Sequence, residues 1–415
     1  MKIAVIGSGI SGLSAAWLLH QEYNVHLFEK NDYLGGHAHT VDVPYSGKQP
    51  IAVDTGFMVF NYRTYPNFIK LLEYLHIEVE KSDMSFGVSL PEESIEYSGK
   101  SLQGLFAQRK NMVSLKFWRM LYDILYFNKT VGKRIIPIDI TLEALLAQMS
   151  VSDSFKNYYL LPMAGSIWSC APQEILKYPA RTFINFFQNH GLLEIINQPQ
   201  WYTIKGGSRL YIEAMTASLK DKVHLGTAVT RIQRQGNNIK VKTAQGKVHT
   251  FDQVVIATHP DEALKLLEEP SPDEQKILNS FQYISNKVVL HTDTNAMPKN
   301  RNCWSSWVYI QDAHTKKSSV TYWLNSLQNV DPHYPLFISI NPCQTLDPSK
   351  VLRTFDYAHP LYDMEALKAQ GDLRRIQGKN STWYCGAYHG YGFHEDGLKA
   401  GLEVSNLLGV SAPWQ

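Results

Sequence analysis

Met1-Lys2-Ile3-Ala4-Val5-Ile6-Gly7-Ser8-Gly9-Ile10-Ser11-Gly12 opens the chain, a short apolar strand from Met1 to Val5 that runs into a turn with glycine at 7, 9 and 12. That spacing is the fingerprint of a dinucleotide-binding turn. Gly7 allows the tight bend, Gly9 lets bare backbone approach a pyrophosphate, and Gly12 lets the next helix pack on the strand, with the phosphates at the helix N-terminus. The helix should be polar-capped and run to His20. A second strand, Val25 to Phe28, then ends at Glu29, which can accept from a ribose hydroxyl. Gly7, Gly9, Ile10, Ser11, Gly12 and Glu29 are therefore candidates for holding the cofactor. The glycines also break what Lys2 and the apolar residues up to Leu19 would otherwise offer as a secretory signal, and no small-residue cleavage site follows.

Such a turn serves nicotinamide and flavin enzymes alike. Beyond Glu29 come Lys30-Asn31-Asp32-Tyr33-Leu34-Gly35-Gly36 and then Val53-Asp54-Thr55-Gly56-Phe57. In this order and spacing the two segments resemble those of FAD proteins of the amine-oxidase type, where a glycine pair passes the cofactor and the second run returns beneath the flavin. The resemblance adds Lys30, Gly35, Gly36, His37, Thr55, Gly56 and Phe57 to the cofactor set.

The run Asp54 to Asn61, then Thr64-Tyr65-Pro66-Asn67 and Ser82 to Phe86, is similar to FAD-binding oxidoreductases encoded beside bacterial cyclopropane-fatty-acid synthases or fused to plant ones. Asn189 to Leu193, Gly206-Gly207-Ser208, Leu290 to Asp293, Asn325 to Gln328 and Gly392 to Gly397 extend that likeness over essentially the whole chain. More distantly the chain resembles monoamine oxidases, protoporphyrinogen oxidases and phytoene desaturases through the FAD motifs. Lys287 departs from the pattern, standing where an acidic or small residue is expected after Asn286.

The resemblance implies an α/β fold, a Rossmann-like FAD-binding domain interwoven with an α+β substrate domain. Residues 1–80, 200–272 and 372–415 fall to the first, and 81–199 and 273–371 to the second. Local patterns agree with this. Leu142 to Leu146 opens a helix after Thr141, and Thr203 to Ser208 is a glycine turn before another. Ile239 to Thr243 and Val248 to Phe251 make a hairpin, and Asp252 to Thr258 is a buried strand with a helix starting at Pro260. Val229 and Thr258, where strands return to the cofactor, join its candidates. Strands at 287–292, 319–324 and 336–340 should form a mixed sheet under the substrate, with Trp304, Trp307, Tyr322 and Trp323 in or beside them. Trp383 to Gly386 is a strand leading through a glycine-rich loop to a helix from Asp396 to about Leu408. The resemblance implies that Gly386, Glu395, Asp396 and Gly397 lie at the flavin pyrimidine, where helix N-terminal amides would meet negative charge on the reduced ring.

At 415 residues the chain exceeds a single simple core, and its 9 Trp and 23 Tyr can line a cavity as well as fill cores. Cys170, Cys303, Cys343 and Cys385 lack metal-type spacing and read as reduced thiols; no metal is implied. No apolar run approaches the roughly 18 residues needed to span a bilayer. The reading is cytoplasmic, with peripheral attachment at the inner membrane surface as the alternative. That alternative comes from residues 100–134, a basic amphipathic helical segment with eight Lys or Arg against Asp123 alone, interleaved with Leu, Phe, Trp and Tyr. The bland alternative is a helix whose apolar face is core and whose lysines are merely solvated. A net charge of +2 without a basic reading motif argues against nucleic acid.

A flavin takes a hydride at N5, so the protein has chiefly to place a carbon over the ring and exclude water. His37, His39, His389 and His394 are the catalytic candidates, with Tyr322, Lys287, Tyr62 and Arg63 as lesser ones. The resemblance implies oxidation of an acyl chain of a fatty acid or phospholipid, by desaturation or isomerisation. Its rivals are a flavin amine oxidase, for which Tyr388 and Tyr391 offer part of an aromatic pair, and a non-catalytic flavin-bound partner of a fatty-acid methyltransferase.

Overall fold

The computed structural model describes every residue except Ser46, Ser169, Cys170, Ala171, Ile195, Ile196, Asn237, His314 and Lys316. Cys170 thus lies outside the described residues, and the other three cysteines are free.

Lys2–Ile6 is the middle strand of a five-stranded parallel sheet ordered Val223–His224, Asn24–Phe28, Lys2–Ile6, Gln253–Ile256, Thr382–Tyr384. Ile3, Ala4, Val5 and Ile6 are all buried, as continuous apolar strands covered on both faces must be. Chain connections leave the first strand in one direction and return on its other side, so a crevice opens at its C-terminal end.

The helix Ile10–Leu19 rises from that end and packs on the C-terminal helix His394–Leu407. Small residues permit the approach: a Cβ on Gly401 would run into Ser14 Oγ, and one on Gly397 would sit 2.8 Å from Ile10 Cγ2. The expected polar cap is absent. Gly9 holds the N-cap position without a side-chain bond, which leaves the first-turn amides to the crevice.

Strands Val229–Gln235, Asn238–Thr243 and Val248–Phe251 form a separate antiparallel sheet whose Ile232, Ile239, Val241 and Phe251 pack under Ala4, Ile6 and Phe28. Beyond the crevice stands a seven-stranded mixed sheet. Its order is Val351–Leu361, Gln282–His291, Phe337–Ile340, Ser318–Trp323, Trp307–Gln311, Phe86–Leu90, Ile95–Ser98, parallel only between Trp307–Gln311 and Phe86–Leu90. Helices Leu115–Thr130, Leu142–Met149, Leu161–Trp168 and Ala180–Asn189 share a core with its far strands through Phe117, Phe127, Phe183, Phe187, Trp307 and Tyr309. Thr141 caps Leu142–Met149, its hydroxyl accepting from Ala144 N. Trp304, Trp307 and Trp323 pack in this region, with Trp304 against Trp323 edge-on and Trp307 donating to the Met84 carbonyl. Among the described residues no helix is long and apolar enough to cross a membrane.

Candidate active site

A cleft of about 750 Å³ runs from the glycine turn to the mixed sheet. At its head Gly7 has φ +99°, and a Cβ there would lie 2.8 Å from the Ala257 carbonyl oxygen. Gly12 is closed from the protein side, since a Cβ would collide with the Gly7 carbonyl. Gly9 is the opposite case: its φ of −62° suits any residue and nothing lies within 4 Å of a Cβ built on it. The space it faces is the cleft. Gly35 and Gly36 fold over this turn, Gly35 N donating to Ser8 O at 3.0 Å and Gly36 lying against the Gly9 Cα.

Glu29 is buried at the second strand's end. Its Oε2 accepts from Ser8 N at 2.9 Å and Ser8 Oγ at 2.6 Å, and its Oε1 from Asn31 N at 2.9 Å. Three bonds leave a carboxylate with about one free acceptor site, enough for a ribose hydroxyl. Lys30 and Glu262, both at the cleft, form an ion pair at 2.7 Å. Val229 and Thr258 also line the cleft, whereas Gly12 and Gly397 serve helix packing outside it.

The second cofactor segment works through backbone. Thr55 N and Phe57 N donate to the His39 and His37 carbonyls at 2.9 Å, and a Cβ on Gly56 would strike the His37 carbonyl. Thr55 Oγ1 is 2.7 Å from Tyr357 OH, which is also 3.2 Å from His39 Nδ1. Phe57 stacks on His394 with ring centres 3.8 Å apart. Gly386 lines the cleft beyond, near Tyr388 and Tyr391.

Of the catalytic candidates, His37, His394 and Tyr322 line the cleft. His37 is half-buried beside Tyr357, His359 and His259, and its enclosed Nε2 has no partner. Burial, followed by the neighbouring imidazoles, lowers it to about 3. Burial also lowers His394 to about 3, and its Nε2 lies 3.0 Å from Tyr211 OH. Both rings are therefore neutral at pH 7 and weak bases. Burial pushes the Tyr322 hydroxyl up to about 12, and it reaches the Ser166 carbonyl only at 3.5 Å.

Buried neutral histidines make the fold acid-sensitive. Their unfolded value of 6.5 falls to about 3 on folding, so below pH 6.5 the unfolded chain takes up protons that the native one refuses. The stability is present above 6.5 and is lost as pH falls toward the folded values. The unfolding free energy read from urea titrations should drop between pH 7 and pH 5 by up to about 2 kcal/mol per such histidine, and His394→Phe, which retains the ring stack, should flatten part of that slope. An unchanged slope in that variant would remove His394 from the account.

Lys287 does not line the cleft. Strand alternation turns Val288 into the cleft and Lys287, exposed, to the other face. His389 does not line the cleft, although its Nε2 is buried without a partner. The side chains of Glu395 and Asp396 do not reach the cleft either. Asp396 Oδ2 accepts from Tyr391 N and Phe393 N at 3.0 Å, capping its own helix, while burial raises the carboxyl to about 6. Glu395 accepts from Asn67 N, Asn67 Nδ2 and Phe68 N, capping the helix Pro66–Tyr74. Of this helix's first turn, His394 lines the cleft.

Both carboxylates line a second cavity of about 880 Å³, with Arg63, Lys129, Lys133 and Lys399. Tyr65, Tyr391 and Phe393 line both cavities and form the wall between them. Arg63 pairs with Glu194 there, and Tyr62 is exposed. Tyr357, His359, Tyr362 and Trp168 line the cleft without having been singled out from sequence. The alternation of Phe355, Tyr357 and His359 along one face of Val351–Leu361 was a signal that could have found two of them.

The cleft suits FAD. A glycine turn without side chains, an uncapped helix N-terminus and an unpartnered histidine nitrogen meet in one elongated space whose volume is that of a ligand site.

Residues 10–335 match the family model for flavin containing amine oxidoreductase. Among curated proteins, flavin-containing amine oxidase A of Sus scrofa is 28% identical over 308 residues, covering 67% of this chain and 53% of that protein. Amine oxidase B of Sus scrofa is 26% identical over 293 residues, covering 65% and 52%. The chain spans about half the length of the curated relatives it matches. Among solved structures, a fatty acid isomerase from P. acnes, described as producing CLA, superposes with a TM-score of 0.68 at 14% identity over 98% of this chain and 97% of that one. Cyclohexylamine oxidase from Brevibacterium oxydans gives 0.67 at 16% identity over 98% and 99%. These structures share the two-domain fold.

Proposed function

We propose, for a chain that belongs to the flavin-containing amine oxidoreductase family, that its substrate is an acyl chain of a fatty acid or phospholipid. Members of this family are FAD-dependent oxidoreductases, and FAD is the cofactor expected here. When bound, FAD supplies the hydride acceptor. The chain's own residues have to do the rest.

The observation that carries the reading is the wall of the cleft beyond the glycine turn. Met58, Ile167, Trp168, Val288, Ile338, Ile340 and Phe393 line it, from both the mixed sheet and the helices. Such a surface holds a hydrocarbon and excludes water. The acids of the cleft are Glu29 and Glu262, which serve Ser8 and Lys30, and Asp356, which is exposed. His37 and His394 are neutral and so add polarity without charge. For a hydride donor without an ionised group, this is a suitable chamber.

The amine reading draws on the curated relatives and on Tyr391, Phe393 and Tyr322, whose faces could hold a cation. One anaerobic experiment separates the two. The holoprotein's flavin band should bleach with bacterial phospholipid or free unsaturated fatty acid and persist with a panel of primary amines. Bleaching by amines alone would replace the acyl reading. Because Tyr322 OH makes only a long bond, Tyr322→Phe should change the bleaching rate by less than about threefold, a difference worth under 1 kcal/mol; a hundredfold loss would make that hydroxyl catalytic.

A further inference from the structure

The helix Leu115–Thr130 has two apolar faces. Phe117, Met120 and Phe127 enter the core, as a helix of the substrate side should. Leu115, Trp118, Tyr122 and Leu125, spaced three, four and three apart, form a second stripe that faces solvent. Just before it, Leu102, Met112 and Val113 are exposed, and just after it Ile135 and Ile138 are too. Leu115 is 86% exposed, Val113 83% and Ile135 96%. These nine stand among seventeen exposed large apolar side chains across the described residues, in a segment of only 37 positions. Isolated exposed apolar residues are ordinary, but a contiguous cluster is not.

Charge decides what covers it. Arg109, Lys110, Lys116, Arg119, Lys129, Lys133 and Arg134 are all exposed in the same segment. Its one acid, Asp123, is buried, holding Arg119 and accepting from Ser152 N; the next acid, Asp139, lies past its end. A second copy of this chain would set seven cations against seven. An anionic bilayer sets them against lipid headgroups and takes the apolar stripe below them. We propose that residues 102–138 dock this protein on an anionic lipid bilayer.

The segment's far end adds a consequence that rests on the acyl reading above. Asn128, Lys129, Gly132 and Lys133 line the 880 Å³ cavity, which shares the wall of Tyr65, Tyr391 and Phe393 with the cofactor cleft. Docking through 102–138 therefore sets that cavity, lined by Lys129 and Lys133 but also by Glu194, Glu395 and Asp396, beside the lipid, with the aromatic wall between it and the flavin position.

The test is co-sedimentation of the FAD-loaded protein with vesicles of phosphatidylcholine, with and without about one third phosphatidylglycerol. Binding is expected to the anionic vesicles only and to weaken with added salt. At about one tenfold step per one or two basic groups, Arg109→Gln, Lys110→Gln, Lys116→Gln together should weaken it by about a hundredfold. Val113→Ser, Leu115→Ser, Ile135→Ser should also lose binding while keeping the visible spectrum and melting point, since all three positions are exposed. Failure to bind, equal binding to both vesicles, or binding untouched by both triples would overturn the proposal. So would a concentration-dependent dimer, seen by sedimentation velocity, that the serine triple abolishes. Acyl oxidation is scored apart, with lipid in detergent. Docking without flavin reduction there defeats only the acyl reading, and reduction without docking defeats only this one.

Discussion

Gly9→Val is expected to yield a folded protein that purifies without its flavin band. The backbone at Gly9 lies at φ −62° and ψ 170°, which valine adopts readily, and no protein atom lies within 4 Å of the added Cβ. The side chain would enter the cleft at the turn where the helix Ile10–Leu19 begins, and there it would hold a pyrophosphate away from the first-turn amides. Losing that approach should weaken FAD by at least about a hundredfold, or some 2.7 kcal/mol. The melting point of the FAD-free form should match that of stripped wild type. Gly12→Val is the control with the opposite signature, because its Cβ collides with the Gly7 carbonyl and meets Ala257 at 3.0 Å. It should lower the melting point of the apoprotein itself. A Gly9→Val protein that keeps its flavin would mean that the cofactor does not pass this turn.

The contrast between these glycines marks how far sequence reaches. Strand, turn, helix and second strand were legible because local spacing determines them, and so were the hairpin at 239–251 and the strand at 253–256. Side-chain direction near the far end of the site was not. Glu395 is drawn to Asn67 and Phe68, more than 300 positions away in the chain, and Asp396 bends back to its own loop. No local pattern records which helix end a carboxylate will cap. Lys287 went astray for a smaller reason: alternation shows that residues 287 and 288 face opposite ways but not which one meets the cleft. Residues 100–134 were read as an interfacial helix or a core helix with solvated lysines. The fold places both kinds of face on one helix, interrupts the segment at Ser114 and caps the new helix there. The wall shared by the two cavities, Tyr65, Tyr391 and Phe393, had no signature at all, since it exists only where three distant segments meet.

Glu274→Ala should be among the most destabilising single substitutions outside the cleft. Glu274 and Arg234 are buried to 1% and 10% exposure, and both guanidinium ends reach the carboxylate, at 2.6 and 3.0 Å. Tyr384 OH donates to the same carboxylate at 2.6 Å and Ser271 N at 2.7 Å. The cluster joins the hairpin sheet, the helix Pro272–Leu278 and the last strand of the parallel sheet, whose continuation carries Gly386 to the cleft. Removing the carboxylate strands a buried cation, at a cost of about 3–5 kcal/mol. Replacing both ends, as Arg234→Met with Glu274→Leu, should recover part of it, because an apolar pair of similar size strands no charge, although Tyr384 OH and Ser271 N still lose their acceptor. The pH dependence has a definite sign. Burial alone would raise the Glu274 carboxyl, but Arg234 and Tyr384 hold it below its ordinary value. Its contribution is therefore full above the unfolded carboxylate range and is lost as pH falls through the lower folded value. Urea unfolding of wild type and of both variants at pH 7 reads the magnitudes directly. If Glu274→Ala cost less than about 1 kcal/mol, water would have to reach Arg234, and the union of these three elements would rest on their apolar contacts alone.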